Sequence, residues 1–276
     1  MPTTPLARPS RLVATVAATF AATLAPLLLA SPASAQTTVR YVALGDSYSS
    51  GVGAGSYTSS SGSCDRSTKA YSQLWANAND PASYVSVACS GATTSSVISS
   101  QLSALSGATT LVSITVGGND VGFSSVMETC VLDSTSTCVS AIDKAEAEMT
   151  STLPAALNSV LKDIAADAPS AEVVVLGYPN LYDLSKSSAC IGLSTTDRTD
   201  LNQAAGILDS QIANAAAGHG DAYIDVRPYF AGHEICDSSS WLHSVNFLDI
   251  GESYHPTATG QADGYLPAFV AGVAAG

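Results

Sequence analysis

The stretch YVALGDSYSSG, residues 41 to 51, decides the fold of this chain. Its first four residues are apolar or aromatic and predict a short strand that is buried on both faces. The strand runs directly into Gly45, Asp46 and Ser47, and the serines and glycines that follow have nothing to bury. Such a tripeptide is usually a turn or a helix cap. The alternative is that the fold presents Ser47 at the end of a strand for chemistry.

Further apolar runs of the same kind follow along the chain. They are short, nearly continuous and rich in β-branched residues, and they occupy Tyr84–Ala88, Leu111–Val116, Val173–Leu176 and Ala222–Val226. The segments between them include two apolar stripes with helical spacing. The first comprises Leu153, Leu157, Val160, Leu161 and Ile164, with Pro154 near its start. The alternation predicts an α/β fold around a central parallel sheet of about five strands.

The second stripe comprises Leu201, Ala205, Leu208, Ile212 and Ala216. We expect Thr196 or Asp197 to cap the start of this helix and Gly218 and Gly220 to end it. Two segments, 122–127 and 180–190, are expected to be loops that form the walls of a crevice.

Polar residues cluster after the predicted strands, where parallel sheets place their binding crevices. Gly-Asp-Ser (45–47) follows the first strand, Cys-Ser-Gly-Ala-Thr (89–93) the second, and Gly-Gly-Asn-Asp (117–120) the third. Glu-Ser-Tyr-His-Pro (252–256) follows the last strand after a long loop. Each cluster alone is a weak signal, but their joint order at strand ends indicates an enzyme.

In these blocks the sequence resembles the SGNH, or GDSL-type, hydrolases, and in particular their secreted actinobacterial lipase, esterase and phospholipase A1 branch. The strings YVALGDSYSSG, ACSGA, ITVGGND and ESYHPTATG carry the resemblance, which spans the chain from Tyr41 to near its end. It implies a three-layer α/β/α, flavodoxin-like fold and hydrolysis of lipid or other acyl esters. The four residues that name the family correspond here to Ser47, Gly91, Asn119 and His255.

The chemistry of these residue types agrees with ester cleavage. Ser47 is the expected nucleophile, and His255 is the expected general base. An oxyanion hole is expected from the N–H of Ser47, the N–H of Gly91 and the side-chain amide of Asn119. Asp46 and Asp120 are expected to be structural caps. The other histidines, His219, His233 and His243, are poorer candidates for the base.

The group that orients His255 has two candidates. The family usually places an aspartate three residues before the histidine, and this chain has Glu252 there. A glutamate could reach the imidazole, or it could be a plain solvated charge. Some relatives use a backbone carbonyl instead, and the carbonyl of Ser253 is then the candidate.

Six cysteines follow the first residues of the chain, and an even number in an exported protein predicts three disulfides. Fifteen pairings are possible. The resemblance implies Cys64–Cys89, Cys130–Cys138 and Cys190–Cys236. A zinc site is the rival interpretation, but no Cys-x2-Cys pair and no His-Glu-x-x-His string is present. We expect neither a metal nor a cofactor.

The N-terminus predicts a secretory signal peptide over residues 1–35, with the SGNH hydrolase domain over 36–276. Arg8 and Arg11 precede an apolar stretch, and Ala33-Ser34-Ala35 offers a cleavage site. A membrane anchor is the rival, although the stretch is weak for a span of about 20 residues. Cleavage would move the formal charge from -13 to -15, because Arg8 and Arg11 are the only charged residues removed.

These observations predict a secreted, monomeric ester hydrolase without an integral membrane segment in the mature chain. Its acidic surface disfavours nucleic acid and anionic membranes as partners. A carbohydrate acetyl esterase is the alternative within the same family. A non-catalytic secreted binding module is the alternative from another class, but such a module would be expected to lose one of the four family residues.

Overall fold

The computed structural model of the chain describes residues 1–4, 10, 38–186 and 192–275. The predicted signal peptide therefore lies almost wholly outside the described residues, as does Cys190 of the third predicted disulfide. No helix in the described ranges is both long enough and apolar enough to cross a membrane.

Five parallel strands form the central sheet, and each overlaps the apolar run that predicted it. They are β1 (Arg40–Gly45), β2 (Ser83–Ser86), β3 (Leu111–Thr115), β4 (Glu172–Leu176) and β5 (Ala222–Ile224). Their order is β2-β1-β3-β4-β5, which is the flavodoxin-like order. The sequence-based prediction of the fold class is confirmed.

Nine α-helices occur among the described residues. They are α1 (Ser47–Ser50), α2 (Tyr71–Asn79), α3 (Thr94–Ser100), α4 (Phe123–Leu132), α5 (Thr135–Ser151), α6 (Leu153–Asp167), α7 (Thr195–His219), α8 (Arg227–Phe230) and α9 (Leu266–Val273). A π-helical turn, Gly260–Tyr265, leads directly into α9.

Helices cover both faces of the sheet. On one face α9 approaches so closely that a Cβ on Gly272 would lie 2.4 Å from Cγ1 of Val174 in β4. Helix α2 packs against α9 on this side. On the other face α7 packs on β4 and β5, and α6 packs on α7. The result is a three-layer α/β/α fold whose sheet is buried between the helical layers.

The two predicted helices are present, with corrections at the ends of the second. The whole first stripe is buried in α6, and its proline lies in the first turn, where a missing N–H costs nothing. Helix α7 is capped by Ser194, not by Thr196 or Asp197, because Ser194 and Asp197 bond reciprocally in a capping box. The helix also continues through Gly218 and ends at Gly220, which has the left-handed conformation that favours glycine.

The segment 122–127 is a second correction. It was expected to be a loop, but Phe123 begins α4 and only Gly122 precedes the helix. Helix α4 packs against α5, and the Cys130–Cys138 disulfide joins the two helices. Tertiary packing therefore decides the structure of a segment with little helical signal of its own.

Candidate active site

The nucleophile candidate begins a short helix at the end of β1. Asp46 caps α1, and its carboxylate accepts a hydrogen bond of 3.0 Å from the N–H of Tyr48. Ser47 is the first residue of that helix and is only 7% exposed. The strand and the cap together fix the backbone that carries the Ser47 hydroxyl.

Ser47 and His255 lie in direct contact. The Nε2 atom of His255 is 2.7 Å from Oγ of Ser47, and its Nδ1 atom is 3.0 Å from the carbonyl oxygen of Ser253. A carbonyl only accepts, so Nδ1 carries the proton in the neutral ring and Nε2 is left to accept from the serine hydroxyl. This tautomer is the one that a general base requires.

The Glu252 side chain has a different partner. Its Oε1 atom accepts a hydrogen bond of 2.6 Å from the hydroxyl of Tyr57, and that hydroxyl accepts from the N–H of Gly53 at 2.9 Å. Within the described ranges no hydrogen bond joins the Glu252 carboxylate to the His255 ring. Of the two predicted candidates, the carbonyl of Ser253 is the one in contact with Nδ1.

The backbone just before His255 is held in an uncommon conformation. Tyr254 has a φ of 65°, in the left-handed region that non-glycine residues rarely adopt. Its carbonyl accepts from the hydroxyl of Tyr48 at 2.7 Å, and its N–H donates to the carbonyl of His243 at 3.0 Å. Such conformations persist where surrounding contacts over-determine them, often at functional sites.

Gly53 sets the separation between the nucleophile loop and the segment that carries the base. A Cβ at Gly53 would lie 2.6 Å from the carbonyl oxygen of Pro256 and 3.0 Å from Cβ of His255. The carbonyl of Gly53 accepts from Nε2 of His243 at 2.8 Å. The two segments therefore touch backbone to backbone, and only glycine fits between them.

The candidate oxyanion donors come from two neighbouring loops. Asn119 lies beside Ser47 in the wall of one crevice, and its Nδ2 atom donates to the carbonyl of Ala92 at 3.1 Å. One amide hydrogen is thereby fixed, and the second is left for another acceptor. The N–H of Cys89 donates to the carbonyl of Gly45 at 3.0 Å, which ties the loop that contains Gly91 to the nucleophile turn.

Gly91 does not line that crevice, although its neighbour Ala92 holds Asn119. It has a φ of 77°, and a Cβ there would meet no atom within 4 Å. The backbone conformation, rather than crowding, therefore selects glycine at this position. Among the described residues, the N–H groups of Gly91 and Ser47 have no hydrogen-bond partner.

A buried hydrogen-bond network behind Ser47 centres on Asp46. One of its members, Tyr178, was not identified from the sequence. Asp46 accepts from the hydroxyls of Thr115 at 2.6 Å and Tyr178 at 2.5 Å. The Tyr178 hydroxyl also accepts from the N–H of Gly118 at 3.3 Å. Tyr178 therefore connects the nucleophile turn to the loop that carries Asn119. It follows β4 closely, and its place after a strand is the signal that could have found it.

Burial shifts the pKa values of two groups at the site. It lowers the pKa of His255 to about 4, and the hydrogen bond to the Ser253 carbonyl opposes this shift only in part. Burial raises the pKa of Asp46 to about 6, against hydrogen bonds from Thr115 and Tyr178 that lower it. At neutral pH the imidazole is uncharged and ready to accept a proton.

The crevice that contains Ser47, Asn119 and His255 is otherwise largely apolar. Helices α4, α5 and α7 supply much of its wall, including Phe123, Val126, Ile142, Met149, Leu201 and Leu208. An apolar crevice with a few convergent polar groups is the usual form of a small-molecule site. Its apolar wall favours an apolar substrate group beside the serine hydroxyl.

The remaining residues that were considered from the sequence make contacts within the fold. Asp120 accepts from the N–H and hydroxyl of Thr94 at the start of α3, and His219 is the last residue of α7. His233 stacks on Trp241 with ring centroids 3.6 Å apart. In the part of the chain that the structure describes, no group of three or more His, Cys, Asp or Glu residues is arranged to hold a metal ion.

Two of the three predicted disulfides are present, Cys64–Cys89 and Cys130–Cys138. The first ends two residues before Gly91 and closes a separation of 25 residues. The third, Cys190–Cys236, falls outside the described residues because it includes Cys190.

Comparison with known proteins assigns the chain to a family. The sequence profile of the GDSL-like lipase/acylhydrolase family matches residues 43–262. The chain belongs to that family. The match includes all four block residues and the crevice, and GDSL-like hydrolases act on esters, so this chain is a serine carboxylic ester hydrolase.

Several GDSL-like relatives are similar along most of their length. Lipase 1 of Streptomyces coelicolor is 59% identical over 227 residues, which cover 82% of this chain and 84% of that protein. The crystal structure of phospholipase A1 from Streptomyces albidoflavus NA297 is 55% identical with a TM-score of 0.83, covering 85% of this chain and 99% of that one. The extracellular lipase of Streptomyces rimosus is 51% identical with a TM-score of 0.82, covering 85% and 99%.

Proposed function

We propose that this ester hydrolase is exported and cleaves acyl esters of lipids, with Ser47 as nucleophile and His255 as general base. The observation that carries the proposal is the 2.7 Å contact between Oγ of Ser47 and Nε2 of His255 at an apolar crevice. The lipase and phospholipase A1 relatives support a lipid substrate.

The reaction follows from these positions. Oγ of Ser47 attacks the ester carbonyl while its proton moves to Nε2 of His255, and the carbonyl of Ser253 holds the resulting imidazolium through Nδ1–H. The N–H groups of Ser47 and Gly91 and the free amide hydrogen of Asn119 would receive the oxyanion. Each such donor contributes about 3 kcal/mol to lowering the barrier.

Collapse of the tetrahedral intermediate breaks the bond to the leaving alcohol, which takes the proton from Nε2. Water then attacks the acyl-enzyme, with His255 again accepting a proton, and the fatty acid leaves as Ser47 regains its hydrogen. The acyl chain would lie against the apolar wall of the crevice formed by α4, α5 and α7.

A substrate panel tests this proposal. It comprises short and long p-nitrophenyl esters, a triglyceride, a phosphatidylcholine and an acetylated xylan. Hydrolysis of the long-chain and lipid esters is expected, together with stoichiometric labelling of Ser47 by a serine-reactive phosphonate. Activity confined to the xylan would favour the acetyl esterase alternative, and folded protein that resists labelling would favour a binding module.

A substitution in α7 tests whether the acyl chain lies in this crevice. Ala205 lines the crevice and is partly exposed, so Ala205→Phe is expected to obstruct long chains. The ratio of kcat/KM for dodecanoate to that for butyrate should fall about tenfold. Ala213→Phe is the matched control, because Ala213 lies farther along the same helix, is also partly exposed and is outside the crevice.

Export is supported by the predicted signal peptide and by the relative described as an extracellular lipase. N-terminal sequencing of protein recovered from culture medium is expected to begin at Gln36. Recovery of an intact N-terminus from a membrane fraction would instead support an anchor.

A further inference from the structure

His255 lies at the base of a hairpin-like excursion of the chain, residues 242–256. Leu242 and Pro256 form an antiparallel bridge, and the N–H of His243 donates to the carbonyl of His255 at 2.9 Å. Farther out, the N–H of Asn246 donates to Oγ of Ser253 at 2.8 Å. These contacts close the excursion on itself, with the candidate base at one end and a tip at the other.

The tip of this hairpin exposes three large apolar side chains. Phe247 is 81% exposed, Leu248 99% and Ile250 69%. Singly exposed apolar residues are common on protein surfaces, but three within four positions form a cluster that usually marks an interaction site.

The shape of the tip does not depend on those side chains. The N–H groups of Leu248 and Asp249 donate to the side-chain oxygen of Asn246 at 3.1 and 3.3 Å. The N–H of Ser253 donates to the carbonyl of Ile250 at 3.2 Å. Polar contacts hold the backbone, and the apolar groups are left for another surface.

The tip is close to the reacting groups. His255 is five positions after Ile250 in the chain, so the two lie within roughly 18 Å even if the chain were fully extended. The hairpin is joined to the loop after Ser47 at its base by His243 with Gly53 and nearer its tip by Glu252 with Tyr57. A surface bound by the tip is therefore held near the Ser47–His255 pair.

The charged residues of the hairpin indicate which lipid surfaces the tip can bind. The hairpin itself, residues 242–256, carries no lysine or arginine, and its acidic residues are Asp249 and Glu252. Anionic head groups would be repelled, while uncharged or zwitterionic lipids would not be. Apolar insertion is then the available source of affinity.

We infer that Phe247, Leu248 and Ile250 insert into the surface of a zwitterionic or neutral lipid aggregate and dock the enzyme beside its substrate. This inference rests on the proposed lipid substrate, since a lipid aggregate is the surface from which such an ester must enter. The tip is a docking element and takes no part in the proton transfers.

Vesicle binding tests the inference directly. Partition onto phosphatidylcholine vesicles is measured by co-sedimentation, with Ser47→Ala in every protein so that the lipid is not consumed. The triple variant F247S/L248S/I250S is expected to bind at least about tenfold more weakly. Each substitution removes the favourable free energy of transferring an apolar side chain from water into the lipid. The single variant Leu248→Ser, at the most exposed position, is expected to lose part of this binding.

Leu132→Ser is the matched control, because Leu132 is also 69% exposed but lies at the end of α4 rather than on the tip. It is expected to bind as the parent protein does. Equal binding by the parent and the triple variant would overturn the inference, as would an equal loss in Leu132→Ser. Self-association that the triple variant abolishes, without vesicle binding by the parent, would assign the tip to a second copy of the chain and also overturn it.

Hydrolysis is measured separately, with Ser47 intact, on monomeric p-nitrophenyl butyrate. The triple variant is expected to keep the kcat/KM of the parent on this soluble ester and to lose activity on phosphatidylcholine vesicles about tenfold. A parent enzyme that cleaves none of the esters would overturn the proposed function, whereas one that cleaves the soluble ester but binds no vesicle would overturn the docking inference alone.

Discussion

The Nδ1 atom of His255 lies 3.0 Å from the carbonyl oxygen of Ser253, in the position that a carboxylate holds in a Ser-His-Asp triad. A carbonyl fixes the tautomer of the ring as a carboxylate does, but it brings no formal charge to the imidazolium. The proposed catalytic groups are therefore a Ser-His dyad. This arrangement determines the effects that we expect from substitutions around His255.

Glu252→Gln is expected to reduce kcat on p-nitrophenyl butyrate by less than about threefold, because the carboxylate bonds to Tyr57 and not to the imidazole. His255→Ala should abolish turnover under the same conditions. Tyr57→Phe is the companion variant, since it removes the same hydrogen bond from the other side, together with the acceptor of the Gly53 N–H. A loss in Glu252→Gln as large as that in His255→Ala would mean that the carboxylate completes a triad.

The pH dependence of kcat/KM should extend unusually far into acid. The pKa of His255 is lowered to about 4, so the neutral base persists as the pH falls and activity is expected to halve only near pH 4. The same shift makes the folded state less stable as the pH falls from about 6.5 to 4, because only the unfolded chain binds the proton in that window. Circular dichroism at each pH confirms that the measured protein is folded.

Asp46 supplies the control for that profile. Its pKa is raised to about 6, so its protonation is expected to lower kcat/KM at a higher pH than protonation of His255 does. Asp46→Asn keeps a side chain that caps α1 but does not titrate. The limb that persists in this variant belongs to His255, and a persistent midpoint near pH 6.5 would contradict the lowered pKa.

Tyr178→Phe should lower kcat roughly tenfold with little change in KM, because Asp46 loses a donor and the Gly118 N–H loses its acceptor. We regard Tyr178 as a positioning residue that acts through both loops. Tyr41→Phe is the control, since it removes another buried hydroxyl, one that bonds to Ser113 and not directly to Asp46 or Gly118. Equal losses of melting temperature with unchanged kcat in both variants would reduce Tyr178 to a stabilising role.

Removal of the disulfides should destabilise the fold in a set order. Chain entropy predicts a loss of about 3.5 kcal/mol for C64S/C89S and about 2.5 kcal/mol for C130S/C138S, because the first closes the longer separation. Urea denaturation measures both. Only the first pair borders the loop of Gly91, so only C64S/C89S is expected also to lower kcat; the reverse pattern would argue against a bracing role for that bond.

The sequence predicted the sheet well because its strands are buried on both faces and so appear as continuous apolar runs. Helix boundaries were harder: Ser194, Thr196 and Asp197 are all good caps, and only the capping box decides among them. Segment 122–127 was misassigned because α4 depends on packing against α5, which no local pattern records.

At the site, the residues that sequence could find are those in recognisable blocks after strands. Ser47 and His255 were identified and are in contact. Gly53 and His243 were not, since their importance lies in one backbone contact between segments far apart in the chain. The choice between Glu252 and Ser253 likewise depended on where Tyr57 lies, and that position is a product of the folded loops.

Ser47 and His255 are separated by 208 positions, and β2 through β5 lie between them in the chain. The chain must therefore be synthesised through His255 before the proposed pair can form. Fragments that end before His255 lack the proposed base, so the order of the blocks along the chain is expected to delay hydrolysis until every strand of the sheet has been synthesised.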